Sequence, residues 1–194
     1  MSHGLLASAS FYVLLTRIDA DLAAIARDEG CACGGRLDRA DFPRKPRGGP
    51  VDLDPSYAKR IGLCCAACRK RRLPASVRFL GRRVYFGAVV VLVSAMRHGA
   101  TGTRLAQLVA WLGVSRRTVD RWRAWWTETF TRTAFWCGAR GRLRGDVVVD
   151  QLPASLVAQF EIDDDAERLV AVLRFLSPIT TRDGAREARI PMGD

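Results

Sequence analysis

The pattern of apolar and polar positions divides the chain into four stretches. Over residues 11–27, Leu14, Leu15, Ile18, Leu22 and Ile25 recur at three- and four-residue spacing, while Asp19, Asp21, Arg27 and Asp28 fall off that stripe. This period is that of an amphipathic helix. The helix should stop near Gly30, because glycine readily takes the left-handed conformation that closes a helix. Its expected work is packing or dimerisation.

Residues 31–80 break the periodicity. Pro43, Pro46, Pro50, Pro55 and the pair Gly48-Gly49 interrupt any long element. Aliphatic residues are few, so no conventional core is expected here and something else must hold the stretch in shape. Helical patterning returns over 82–130. Residues 84–96 are apolar almost all round and read as a buried helix, although Val89, Val90 and Val91 would also suit a strand. Thr103 can cap a second helix carrying Leu105, Leu108, Val109 and Leu112. Ser115 can cap a third through Val119, Trp122, Trp126 and Phe130. The tryptophans and phenylalanines, at helical spacing, read as core before they read as base-stacking groups.

In the last stretch, Asp150 reads as a helix cap with Pro153 just inside. Leu169, Val172, Leu173 and Leu176 then share one face of a helix over 166–176, which Ser177 and Pro178 end. A polar tail follows from Arg182. The pattern predicts a mainly α fold with a small irregular or β module at 31–80.

Charge changes this picture. The 194 residues carry a net +11, and residues 31–145 hold 24 Lys and Arg against six Asp and Glu. Both ends are mildly acidic. A basic block of this kind attracts phosphate polymers. The longest uncharged runs, 1–16 and 84–96, are shorter than the ~20 residues that span a bilayer. The first has no basic flank of the signal-peptide kind. The expectation is a cytoplasmic protein, associated with the bacterial nucleoid and not with a membrane.

Five of six cysteines lie in the basic 31–80 stretch: Cys31, Cys33, Cys64, Cys65 and Cys68; Cys137 stands apart. Clustered cysteines in a cytosolic chain are more often metal ligands than disulfides. Cys31, Cys33, Cys65 and Cys68 form two close pairs that can meet at one tetrahedral Zn2+ and make a zinc ribbon. The first pair is C-x-C, one residue short of the common spacing, and 31 residues (34–64) separate the pairs. Cys64 is a spare that could replace Cys65, and His3 and His98 are substitutes of lower rank. A four-thiolate site is closed to water and does not suit zinc catalysis. Arg69, Lys70, Arg71 and Arg72 follow the last cysteine directly, with Arg78, Arg82 and Arg83 beyond. Their expected role is phosphate contact.

The strongest motif is Leu112-Gly113-Val114-Ser115-Arg116-Arg117-Thr118-Val119 with the trailing Arg121-Trp122. Gly113 permits the turn, and Val114 and Val119 pin the second helix on the first. The basic first turn is left outside, where Arg116, Arg117, Asp120 and Arg121 could meet base edges. These residues resemble the helix-turn-helix of bacterial transposases, resolvases and related DNA-binding proteins, over 25 to 30 residues. The resemblance implies that Ser115, Arg116, Arg117 and Arg121 contact DNA.

A ribbon followed by a helix-turn-helix also resembles the N-terminal half of several transposase families, which continue into an RNase-H-like nuclease. Asp146 and Asp150, flanking three valines, resemble its first acidic strand. Only 44 residues follow Asp150, and Asp163, Asp164 and Asp165 are adjacent, so they cannot replace acids from distant strands. The expected organisation is an N-terminal helix (1–30), a zinc ribbon (31–80), a three-helix helix-turn-helix domain (81–136) and a helical extension (137–194). The expected function is binding of double-stranded DNA, without catalysis, in a mobile element or small regulator. A transposase or nuclease subunit and a second copy of the chain are further expected partners. Two alternatives stay open: a truncated or split transposase acting with a separate nuclease chain, and a basic module that binds RNA or protein.

Overall fold

Ser8 starts the first long helix by accepting a hydrogen bond from the Phe11 N–H at 3.3 Å, which satisfies an amide that has no partner within the helix. The computed structural model describes residues 4–44, 53–80, 85–95, 106, 110 and 112–181. A single turn, Gly4–Ala7 (α1), precedes the helix Ala9–Asp28 (α2), which closes at Gly30 as the pattern predicts. The buried face of α2 keeps Leu15 and Ile18 of the expected stripe, with Leu22 half-buried against the core, but is turned away from its other two members. Leu14 is 41% and Ile25 56% exposed, whereas Asp19 is 1% exposed. The helix is rotated so that Phe11 and Tyr12 enter the core, where Tyr12 meets Tyr57 and Phe86 edge-on. Two aromatic side chains bury more area than the leucine and isoleucine left outside.

Among the described residues seven short strands follow: Leu37–Arg39 (β1), Phe42–Pro43 (β2), Lys59–Arg60 (β3), Leu63–Cys65 (β4), Arg71–Arg72 (β5), Phe79–Leu80 (β6) and Tyr85–Phe86 (β7). All pair antiparallel, in the order β1-β4-β5, β2-β3 and β6-β7. The 31–80 stretch therefore does supply core, contrary to expectation. Tyr57, Val77, Phe79 and Leu80 join the main apolar cluster, while Leu37 and Leu63 form a separate small one with Ala26 and Cys65. Aliphatic residues of the stretch, though few, are buried together with the aromatic rings of Tyr57 and Phe79.

The β6–β7 hairpin leads into the helix Gly87–Ala95 (α3), buried from Gly87 to Ser94. The helix begins three residues later than the apolar pattern because Tyr85 and Phe86 pair with Leu80 and Phe79. An element apolar on every side belongs at the centre of a core. It packs against Arg116–Ala124 (α4), whose inner face is Thr118, Val119 and Trp122. The chain widens into a π-helical turn, Trp125–Thr129, and tightens into a 3-10 turn, Phe130–Arg132. Thr133 then caps Ala134–Ala139 (α5). Trp125, Trp126, Phe130 and Trp136 are buried against one another, as core.

Asp150 does not cap a helix. It lies in the 3-10 turn Val149–Gln151, and the helix Ala154–Val157 (α6) starts at Pro153 with no side-chain cap. The segment from Asp146 to Asp150 is likewise not a strand: Leu152 and Pro153 are the residues pulled into the core, leaving Val148 and Val149 outside. Asp164 caps the helix Asp165–Leu176 (α7), which buries Leu169, Val172, Leu173 and Leu176 as the spacing predicts. A 3-10 turn, Ser177–Thr180, ends it. One apolar cluster runs from Leu6 to Ile179. Among the described residues no helix is long and apolar enough to cross a membrane. The expected second helix (Thr103, Leu105, Leu108, Val109), His3, His98, Arg82, Arg83 and the tail from Arg182 lie outside the described residues.

Arg78 corrects a further expectation. It does not extend the basic surface run but sits 2% exposed beside Asp19. Its Nε donates to the Asp19 carboxylate at 2.8 Å, where Ser76 Oγ and the Val77 N–H also donate, at 2.6 and 2.7 Å. Arg60 Nη1 lies 3.5 Å from the same carboxylate, and its Nη2 donates to the Pro74 carbonyl at 2.7 Å. Arg78 spends its remaining donors on the Ser56 and Lys59 carbonyls. Burial pulls the Arg60 guanidinium down to about 10, against the opposing pull of Asp19. The C-terminal turn is tied in by Thr180 Oγ1, which accepts from the Ser76 N–H at 2.8 Å.

Candidate metal centre

Two tight loops bring four sulfurs together. The first follows α2: Cys31 O accepts from the Gly34 N–H at 2.8 Å, and the Cys31 N–H donates to Gly35 O at 3.2 Å. This closed turn lets a C-x-C spacing do the work of a longer knuckle. The second follows β4: Cys65 O accepts from the Arg69 N–H at 3.1 Å, and the Cys68 N–H donates to Cys65 Sγ at 3.4 Å. The β1–β4 pairing docks the loops, setting Leu37 opposite Cys65, with the Ala66 N–H donating to Arg36 O at 2.9 Å.

The ligand atoms of Cys31, Cys33, Cys65 and Cys68 all lie within 4.8 Å of one another. Cys31 and Cys68 sulfurs are 3.6 Å apart, and those of Cys33 and Cys65 are 3.5 Å apart. All are free thiols, with Cys65 buried and Cys33 exposed. A zinc ion with Zn–S bonds near 2.3 Å needs sulfur–sulfur edges of roughly 3.8 Å in a regular tetrahedron. The cluster fits a metal ion such as zinc. It is the set expected from the sequence, and the choice between Cys64 and Cys65 is resolved by strand alternation. Cys64 points to the other face of β4, its sulfur 3.6 Å from Arg69 O. Cys137 is exposed on α5, away from the set.

Gly35 is required by close approach. A Cβ there would stand 2.6 Å from Cys65 Sγ and 2.9 Å from the Ala67 methyl. The Gly35 amide and the neighbouring Cys68, Cys65 and Cys31 thiols pull the Cys33 thiol down to about 6. For Cys68 the Lys70 amide pulls downward, but the thiol neighbours and burial outweigh it and push the thiol up to about 11. Within the group the thiolate is therefore favoured at Cys33 and disfavoured at Cys68 when no cation is bound. Arg69 takes a left-handed conformation with φ 60° at the close of the second loop.

The basic residues fall in two places. Arg69, Lys70 and Arg71 are exposed beside the cysteines, whereas Arg72 turns back to donate to Gly30 O at 2.9 Å and to pair with Glu29. In α4, Ser115 Oγ accepts from the Thr118 N–H at 3.2 Å, and Ser115, Arg116, Arg117 and Asp120 are exposed. Arg121 is half-buried and donates to Thr118 Oγ1 at 3.1 Å. Asp120 lies 3.7 Å from Arg123. Gly113, between the buried Leu112 and Val114, adopts φ 61°, the left-handed turn expected before α4. The polar group that sequence reasoning missed is Asp19. Its signal was its place on the Leu15, Ala23 and Ala26 face, four residues from Leu15 and from Ala23. Comparison of the chain with protein families, curated proteins and solved structures finds no match in any of the three.

Proposed function

We propose that this chain binds double-stranded DNA, in the manner of transposase-type and mobile-element proteins, without catalysis of its own. The observation that carries the reading is the two-sided character of α4. One side is anchored by the buried Val119 and Trp122, and the exposed first turn carries Ser115, Arg116, Arg117 and Asp120. Arginine on a rigid, capped helix start is suited to guanine edges and to phosphate. Arg121, already held by Thr118, is pre-oriented for the same surface.

Zinc held by Cys31, Cys33, Cys65 and Cys68 would act as a structural brace, supplying stability that the small cluster of Ala26, Leu37, Leu63 and Cys65 cannot. Arg69, Lys70 and Arg71 would grip phosphate from that brace, and Arg72 would shape its wall. A zinc tetrathiolate carries a net charge of about −2, fewer than the cations around it.

The experiment is a titration at several salt concentrations against duplexes selected from a random pool. A recurring site that outlasts competitor DNA as salt rises supports a sequence reader. Uniform binding that vanishes along a steep log–log salt line reduces the role to charge alone.

A further inference from the structure

We infer that the groove between the C-terminal half of α2 and the segment that begins at β5 is a docking site for an extended acidic peptide bearing apolar side chains. The groove has a volume of about 620 Å³ and opens beside Cys31. Its floor is apolar, from Leu22 and Ile25 on one side to Leu73 and Pro74 on the other. Among the described residues Ile25 is the most exposed of the large apolar side chains, at 56%, and nothing in α2's own packing explains an isoleucine there.

Three features choose the occupant. First, Lys70 and Arg71 line the rim, and among the described residues neither makes an ion pair. The one acid on the wall, Glu29, is already neutralised by Arg72. The rim is therefore complementary to carboxylates. Second, β5 is the outer strand in the order β1-β4-β5, so among the described residues one of its edges is unpaired. An extended segment can add to such an edge through main-chain hydrogen bonds while alternate side chains enter the apolar floor. Third, the lining holds no aromatic ring, so a nucleic-acid strand would find nothing to stack on and would meet leucine and isoleucine with its phosphates. The inference goes beyond the DNA reading and does not depend on it.

The test uses the full, zinc-loaded chain and a phage-displayed library of random peptides. Selection is made on the wild type with counter-selection on Ile25→Glu. Leu14→Glu, which alters another exposed leucine of the same helix outside the groove, is the control. Enrichment of peptides that alternate acidic and apolar residues is expected. Ile25→Glu should weaken them about tenfold or more, the loss of one aliphatic anchor, and Leu14→Glu should leave them unchanged. Zinc content and thermal stability, measured on all three proteins, should be equal, so that a loss of peptide binding is not a loss of fold. The inference is overturned if no peptide prefers the wild type to Ile25→Glu. It is also overturned if the enriched peptides are basic, or if single-stranded nucleic acid is what Ile25→Glu loses. Failure of duplex binding alone leaves the groove assignment standing, and the reverse holds too.

Discussion

Asp19 of α2 and Arg78, 59 residues later, meet in the core with an Nε–Oδ2 distance of 2.8 Å, both at most 2% exposed. With Arg60 they form a buried group of one carboxylate and two guanidiniums that ties α2 to the stretch holding the metal loops. Asp19→Asn keeps the shape but leaves two buried cations without their counter-charge. Breaking such a group costs on the order of 3–5 kcal/mol. Chemical denaturation of the zinc-loaded protein should show that loss. A shift of the midpoint worth less than about 1 kcal/mol would mean that the network is replaceable by neutral hydrogen bonds.

Gly35→Ala places a methyl group within 2.6 Å of Cys65 Sγ. The ligand or its loop must move, so zinc affinity falls while the tryptophan-rich core, which the loop does not touch, persists. A chelator competition should release zinc at lower chelator concentration, with near-ultraviolet circular dichroism unchanged. Retained affinity would show that the loops shift together without strain.

Arg69→Gly separates stability from function. A left-handed non-glycine residue costs roughly 1 kcal/mol, so glycine should raise the resistance of the metal loops to chelation or proteolysis. If Arg69 grips phosphate, the same variant binds DNA less tightly and its log–log salt slope drops by about one. A variant that is more stable and binds DNA as well as the wild type would remove Arg69 from the contact set.

Without metal, Cys33, at about 6, is a thiolate at neutral pH, and Cys68, at about 11, is not. Iodoacetamide at pH 7 should label Cys33 first, and zinc should protect all four ligands. The sign of the pH effect follows from the lowered value. The fold's preference for the Cys33 thiolate is fully present above the ordinary thiol range near 9 and is lost as pH falls through about 6. Metal-free loops should therefore loosen between those limits, readable as faster amide exchange. Uniform labelling of the four cysteines would contradict the arrangement.

Arg117→Ala tests the proposal that α4 reads DNA. If Arg117 reads a guanine, the variant loses roughly 1–3 kcal/mol on the preferred site and discriminates less at one base position. An equal loss on every duplex would make it a phosphate contact.

What the sequence by itself determined is local. The C-x-C and C-x-x-C pairs, the Gly113 turn, the Ser115 cap and the Leu169-to-Leu176 face rest on spacing and backbone preference, and each of these features is present in the structure. The tertiary structure decided everything that needed a partner far along the chain. It rotated α2 because Tyr12 had Tyr57 and Phe86 to meet and because Asp19 had Arg60 and Arg78 to neutralise it. It withdrew Arg78 from the surface and Arg72 from full exposure, and it selected Cys65 over Cys64. A periodic pattern assigns a charged residue to water by default. Only the assembled core shows where a counter-charge makes burial affordable, since the desolvation cost of an ion is offset by contacts that no local window of sequence contains.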